Sequence, residues 1–201
     1  MHIADGVLSP AVLGTGAALA AVGTAVGLRR LDYDRLMTVA MLSAAFLVAS
    51  LVHVPVGFSS MHLILNGLLG VLLGFAAFPA ILAALALQAL LFQYGGLTIL
   101  GVNTFCMAFS GVLAGYCFKA VARICPGPKG QKAAAFCGGA LGVALAGLFT
   151  ASALAFSDEG FITTAQLLFL THLPVMLVEG IITMFMVSFI ARVRPEMLHW
   201  R

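Results

Sequence analysis

Charge is what this 201-residue sequence has least of: Asp, Glu, Lys and Arg together make up 8% of it, against roughly 25% in an ordinary soluble domain. A soluble fold of this length needs a polar shell, and these residues cannot make one. With 62% hydrophobic residues and a mean hydropathy of +1.13, lipid is the solvent. The basic residues stand singly or in pairs and the net charge is only +3, so the footprint of a nucleic-acid binder is missing. The four cysteines, Cys106, Cys117, Cys125 and Cys137, lack CxxC spacing. They read as small apolar residues in or near helices, with a soft thiolate metal site as the weaker alternative. There is no GxxxxGK[ST] loop and no HExxH pair, which argues against an ATPase and an intramembrane metalloprotease. The last apolar run, 167–191, has no lysine to carry a retinal Schiff base. Met1 to Pro10 contains no Lys or Arg, so the basic n-region of a cleavable signal peptide is absent. The bulky His2 predicts that the initiator methionine is kept, leaving a free amine on Met1 directly followed by a histidine.

What is present is a series of apolar runs, each near the roughly 20 residues that cross a bilayer as a helix. Seven are expected, at 10–28, 36–53, 62–78, 79–95, 104–122, 133–156 and 167–191. The third and fourth are short and meet at Phe78-Pro79, as a tight helical hairpin would. The runs show no period-2 alternation, so the fold class is an all-α polytopic bundle of seven transmembrane helices rather than a barrel. A single domain over 1–201 is expected. Arg29, Arg30 and Arg35 occupy the first connection; Lys119, Arg123, Lys129 and Lys132 occupy the fifth; Arg192, Arg194 and Arg201 follow the last helix. Positive charge stays on the cytoplasmic side, so the N-terminus is expected outside and the C-terminus inside, which requires an odd number of spans. Glycines recur at helical spacing, at Gly23 and Gly27, Gly70 and Gly74, Gly111 and Gly115, and Gly138 and Gly142. Close helix packing explains them best; a docking face for a partner helix is the alternative.

The outer side then collects the polar groups that lipid should exclude. It holds Met1, His2 and Asp5, then His53, Ser59, Ser60 and His62, and the glycine- and amide-rich stretch from Gln93 to Asn103. Four of the five histidines lie at or near this face, with His199 alone inside, and imidazole is the commonest transition-metal ligand. A Met1-His2 terminus is itself a chelator. The terminal amine and the His2 amide nitrogen close a five-membered ring, and the amide and Nδ1 of His2 close a six-membered one. One more imidazole completes a square of nitrogens suited to Ni(II) or Cu(II). His62 is expected to open a helix with Asn66 one turn on, either as a ligand or as a helix-end cap. His172 and Glu179 are seven apart and share a face of the last helix. Glu179 is the carboxylate deepest in a span, serving either transport or the locking of helices.

Four stretches together resemble the NikM/CbiM family, the substrate-specific subunits of energy-coupling-factor importers for nickel and cobalt. They are Met1-His-Ile-Ala-Asp-Gly-Val-Leu-Ser-Pro10, Ser60-Met-His-Leu-Ile-Leu-Asn-Gly67, Gln93-Tyr-Gly-Gly-Leu-Thr-Ile-Leu-Gly-Val-Asn-Thr104 and His172-Leu-Pro-Val-Met-Leu-Val-Glu-Gly180. The resemblance runs nearly end to end and implies that the N-terminal segment 1–9 is folded into the bundle. It implies a multi-pass protein of the cell inner membrane, not an enzyme, that captures Ni(II) or Co(II) as substrate and holds no organic cofactor. It implies a metal held by the Met1 amine, the amide and ring nitrogens of His2 and a ring nitrogen of His62. Asn66, Asn103, His172 and Glu179 are then candidates for the surroundings of the metal or its path. The implied partners are a coupling transmembrane component, cytoplasmic ATP-binding-cassette ATPases and a small two-helix accessory subunit. Leu63-Ile64-Leu65 stands where the cobalt branch has a Pro-Thr-Gly run, which favours nickel; cobalt uptake for cobalamin synthesis is the alternative. A proton-coupled carrier using His172 and Glu179 is a more distant one, since no inverted repeat stands out.

Overall fold

The computed structural model describes residue 3 and residues 5–51, 53–56 and 59–198. Helix α1 (Pro10–Arg29) begins where Pro10 supplies a preset φ and Ser9 Oγ accepts from the Val12 N–H. There follow α2 (Leu36–Leu51), a two-stranded antiparallel hairpin of β1 (His53–Val56) and β2 (Ser59–His62), α3 (Asn66–Leu73), α4 (Ala77–Phe92), α5 (Leu100–Ile124), α6 (Pro128–Ala155), α7 (Ile162–Thr171) and α8 (Leu173–Val193). Among the described residues, six helical stretches are long and apolar enough to cross a membrane, with Asn66–Phe92 counted as one. That makes the chain a multi-pass membrane protein.

The apolar stretch Asn66–Phe92 is not one rod. Asn66 lies beside Met107 and Ser110 of α5, and Gly70 lies against Gly111, so α3 runs in the same direction as α5. The hydroxyl of Ser43 donates to the Ala80 carbonyl at 2.7 Å and Gln88 bonds Ser50, so α4 runs with α2, the opposite way. The reversal sits at Gly74, whose φ of +57° favours glycine, four residues before the expected turn at Phe78-Pro79. The spans expected at 62–78 and 79–95 are therefore α3 and α4, but α3 has only 8 residues, about 12 Å of helix, and is no full crossing. The last span, expected at 167–191, is broken at His172 into α7 and α8. Pro174 near the start of α8 has no N–H to give to a preceding turn.

Helices α3 and α4 are the centre of the bundle: Leu69, Val71, Leu72, Ala77, Ile81 and Ala84 are fully buried. The glycines seat helix on helix, as close packing requires. A Cβ on Gly70 would overlap the Gly111 carbonyl, one on Gly142 would come 2.6 Å from the Gly67 Cα, and one on Gly23 would strike the Phe78 ring. Among the described residues, the basic ones gather at one end. Arg30 stacks 4.7 Å over Phe75, Arg35 donates to the Met197 carbonyl at 3.1 Å, and Lys132 and Arg192 line one cleft. The β hairpin, the loop after α4 and the start of α1 lie at the other end.

Candidate functional site

At the end away from the basic residues, three anchors hold the N-terminal segment against the bundle. Asn103, in the first turn of α5, clamps the backbone of Ile3: the Ile3 N–H donates to its Oδ1 at 3.3 Å and its Nδ2 donates to the Ile3 carbonyl at 3.4 Å. Both residues are buried, and Ile3 packs in an apolar cluster with Leu8, Ile99, Val102, Cys106, Ala153 and Leu154. Asp5 accepts from the Thr98 hydroxyl and lies so close over Gly96 that a Cβ there would strike its carboxylate. Gly96, with φ +144°, is needed on both counts. The Ser9 N–H donates to Ser157 Oγ at 3.2 Å. The stretch from Gln93 to Asn103 thus serves as the receptor for the N-terminal stretch. Asp5 and Thr98 were not legible as a pair, although the Gly95-Gly96 dipeptide signals close backbone approach. Met1 and His2 immediately precede Ile3 and lie, with His199 and Arg201, outside the described residues.

His62 does not open a helix. It closes β2, where its backbone pairs with His53, and α3 begins only at Asn66. The reason is in the residues between. Leu65 has φ +50°, a left-handed conformation that costs a leucine about 1 kcal/mol or more. The Ile64 and Leu65 N–H groups donate to the Glu179 carboxylate of α8, the latter at 3.0 and 3.1 Å. A carboxylate from another helix therefore takes the place of a side-chain cap at the start of α3, where it meets the positive end of the helix dipole. His62 is half-buried, and its Nδ1 lies 3.0 Å from the Leu63 carbonyl. In the tautomer that donates from Nδ1, the lone pair sits on Nε2, the form in which an imidazole ligates a metal.

Asn66 knots three helices. Its Nδ2 lies 3.2 Å from the Met107 carbonyl, 2.7 Å from Ser110 Oγ and 2.9 Å from the Gly142 carbonyl, while its Oδ1 accepts from the Gly67 N–H at 2.8 Å. Its side chain is thus committed to holding α3 between α5 and α6. His172 is buried at the joint between α7 and α8, and its carbonyl accepts from the Met176 N–H at 2.9 Å. Val175, in the first turn of α8, packs on Ile64 and Val143. Glu179 is wholly buried two turns along. The chain brings Glu179 to the stretch that follows His62, and Asn103 to the stretch that follows His2. Among the described residues, no three His, Cys, Asp or Glu side chains are grouped to hold a metal.

A family model described as the cobalt uptake substrate-specific transmembrane region matches residues 2–197. The chain belongs to this family. As a CbiM-family member it is a transmembrane component of cobalt or nickel uptake. It is 40% identical over 200 residues to a putative metal transport protein of Haemophilus influenzae, covering 99% of this chain and 97% of that one. It is also 34% identical to a cobalt transport protein CbiM of Kyrpidia tusciae, covering 98% and 86%. A putative fused nickel transport protein of Archaeoglobus fulgidus is 33% identical over 98% of this chain and 68% of its own length. Among solved structures, a transition metal transporter superposes with a TM-score of 0.82 at 26% identity, covering 96% of this chain and 93% of that one. CbiM-family membership bears out the resemblance read from the four sequence stretches.

Proposed function

We propose that this chain is the metal-capturing subunit of an ATP-driven, energy-coupling-factor importer. It takes Ni(II) or Co(II) from outside through the Met1 amine, the amide and ring nitrogens of His2 and Nε2 of His62. The observation that carries this reading is the clamp of Asn103 on both backbone groups of Ile3. Any buried backbone must be paired, but helix packing alone gives a membrane bundle no need to bury its own third residue. A terminus that must present its amine at a fixed point has that need. A terminal ammonium and a backbone amide N–H each give up a proton on becoming ligands, so affinity rises with pH.

The gathering of cations at one end supports an N-terminus outside and a C-terminus in the cytoplasm, with the chain in the inner membrane of the cell. Its partners are a coupling transmembrane component, a pair of cytoplasmic ATP-binding-cassette ATPases and a small two-helix accessory subunit. Nickel is favoured by Leu63-Ile64-Leu65, with cobalt for cobalamin synthesis as the second reading. The proton-coupled carrier is weakened by Glu179, whose oxygens are engaged by two backbone N–H groups. Two measurements test the proposal. In equilibrium dialysis, His62→Ala should lose high-affinity nickel and cobalt while the bundle remains folded; unchanged affinity removes His62 from the ligand set. In liposomes, uptake should need ATP and the partner subunits; uptake driven by a pH gradient with this chain alone refutes the importer.

A further inference from the structure

A cleft of about 300 Å3 opens between the start of α6 and the last turns of α8, lined by Lys132, Met184, Phe185, Ser188, Phe189 and Arg192. It lies at the basic end, on the opposite side of the molecule from the N-terminal anchors. We infer that it is a binding site for an anionic phospholipid, with the headgroup phosphate between Lys132 and Arg192 and an acyl chain along Phe185 and Phe189.

Two features specify the ligand. The first is uncompensated charge. Both cations are exposed, and among the described residues neither meets a carboxylate; the ion pair at this end joins Arg194 to Glu196 at 3.6 Å. Lys132 also stands in the second turn of α6, whose N-terminus has no side-chain cap and adds positive potential to the cleft. The second feature is the floor. Phe185 and Phe189 are more than half exposed on the outer face of α8, inside the apolar span Leu173–Val193, so they face lipid chains. Ser188 turns its hydroxyl back to the Met184 carbonyl at 2.6 Å and does not make this wall a polar one. A free anion gains nothing from such a wall, whereas a phosphate carrying acyl chains uses both parts. Basic pockets between helix ends are suited to anionic headgroups, and each cation at a charged bilayer surface is worth roughly fivefold in lipid enrichment. Two together give about 30-fold.

The test is native mass spectrometry of the purified full chain in detergent, titrated with phosphatidylglycerol or with phosphatidylcholine of the same acyl chains. One tightly held phosphatidylglycerol is expected, preferred about 30-fold over phosphatidylcholine. K132Q together with R192Q should abolish the preference, and Arg29→Gln, at the same end but outside the cleft, should leave it intact. Equal retention of the two lipids overturns the inference, as does a double variant that keeps the preference. Displacement of the lipid by millimolar inorganic phosphate would show a free-anion site and likewise overturns it. Circular dichroism of the variants checks that the bundle has not opened.

Discussion

Asn103→Leu removes the clamp on Ile3 while nearly preserving volume. Two hydrogen bonds disappear, and the Ile3 N–H and carbonyl are left unpaired in a buried position. An orphaned backbone group costs about 1–3 kcal/mol. Because both bonds are long, at 3.3 and 3.4 Å, the low end applies, and the pair is worth about 2 kcal/mol. The bundle does not need to unfold to escape this cost. The segment before α1 can leave its groove and hydrate, giving up the burial of Ile3 and the bond between Asp5 and Thr98. If the Met1 amine and His2 supply three of four nitrogens, the metal must then re-dock the segment, and 2 kcal/mol weakens binding by roughly 30-fold. The assay is equilibrium dialysis or calorimetry with nickel and with cobalt, beside a melting curve in detergent. The expected outcome is a large loss of affinity with little change in melting temperature. Wild-type affinity in a folded Asn103→Leu protein would refute the reasoning, since the clamp would then be holding nothing the metal needs.

Three further outcomes follow from the same geometry. An N-terminal extension converts the Met1 amine to an amide two residues before a buried, clamped position, so it should abolish nickel and cobalt binding, whereas the same tag at the C-terminus should not; equal binding by the matched pair removes the amine from the ligand set. Glu179→Gln keeps one acceptor for the Ile64 and Leu65 N–H groups, so metal affinity in dialysis should fall less than for His62→Ala, with transport in the assembled complex falling more; a folded Glu179→Gln protein with no bound metal would make the carboxylate itself a ligand. Gly70→Ala drives a methyl into the Gly111 carbonyl and should destabilise the α3–α5 contact by about 1–3 kcal/mol, seen as a lower melting temperature in detergent.

The helices were legible because lipid enforces one rule, a long apolar run per pass. Their ends were less so. The run from His62 to Gln93 is apolar almost throughout, and hydropathy cannot reveal where its backbone leaves the helix. Leucine is a strong helix former, so nothing in the letters marks Leu65 as left-handed. Glu179 stood out as a carboxylate in a span, and both its transport and its helix-locking readings were open. That its partners are backbone N–H groups has no sequence signature, because every residue but proline has one. The break at His172 did have a signal in Pro174, two residues on. The bonds of Asn103 to Ile3 and of Asp5 to Thr98 lie across about half the chain, and only the fold brings them together.

These particulars share one cause. Within hydrocarbon every backbone N–H and carbonyl must find a partner, and irregular chain survives only where protein supplies it. Two of the irregular segments that enter this bundle are the N-terminal stretch at Ile3 and the stretch Leu63–Leu65. Each is satisfied by a single polar side chain from a distant helix, Asn103 in the first case and Glu179 in the second. Each such segment also directly follows a proposed ligand, His2 or His62. If the proposed ligands hold the metal, the two polar side chains need not touch it to control it. They make the irregular backbone tolerable, and on the proposed ligand set that backbone is what would bring the nitrogens to the metal. On this argument the cost of a buried amide and a buried carboxylate is retained because a regular helix, which satisfies its own backbone, would point His62 along its own surface and leave the terminus unheld.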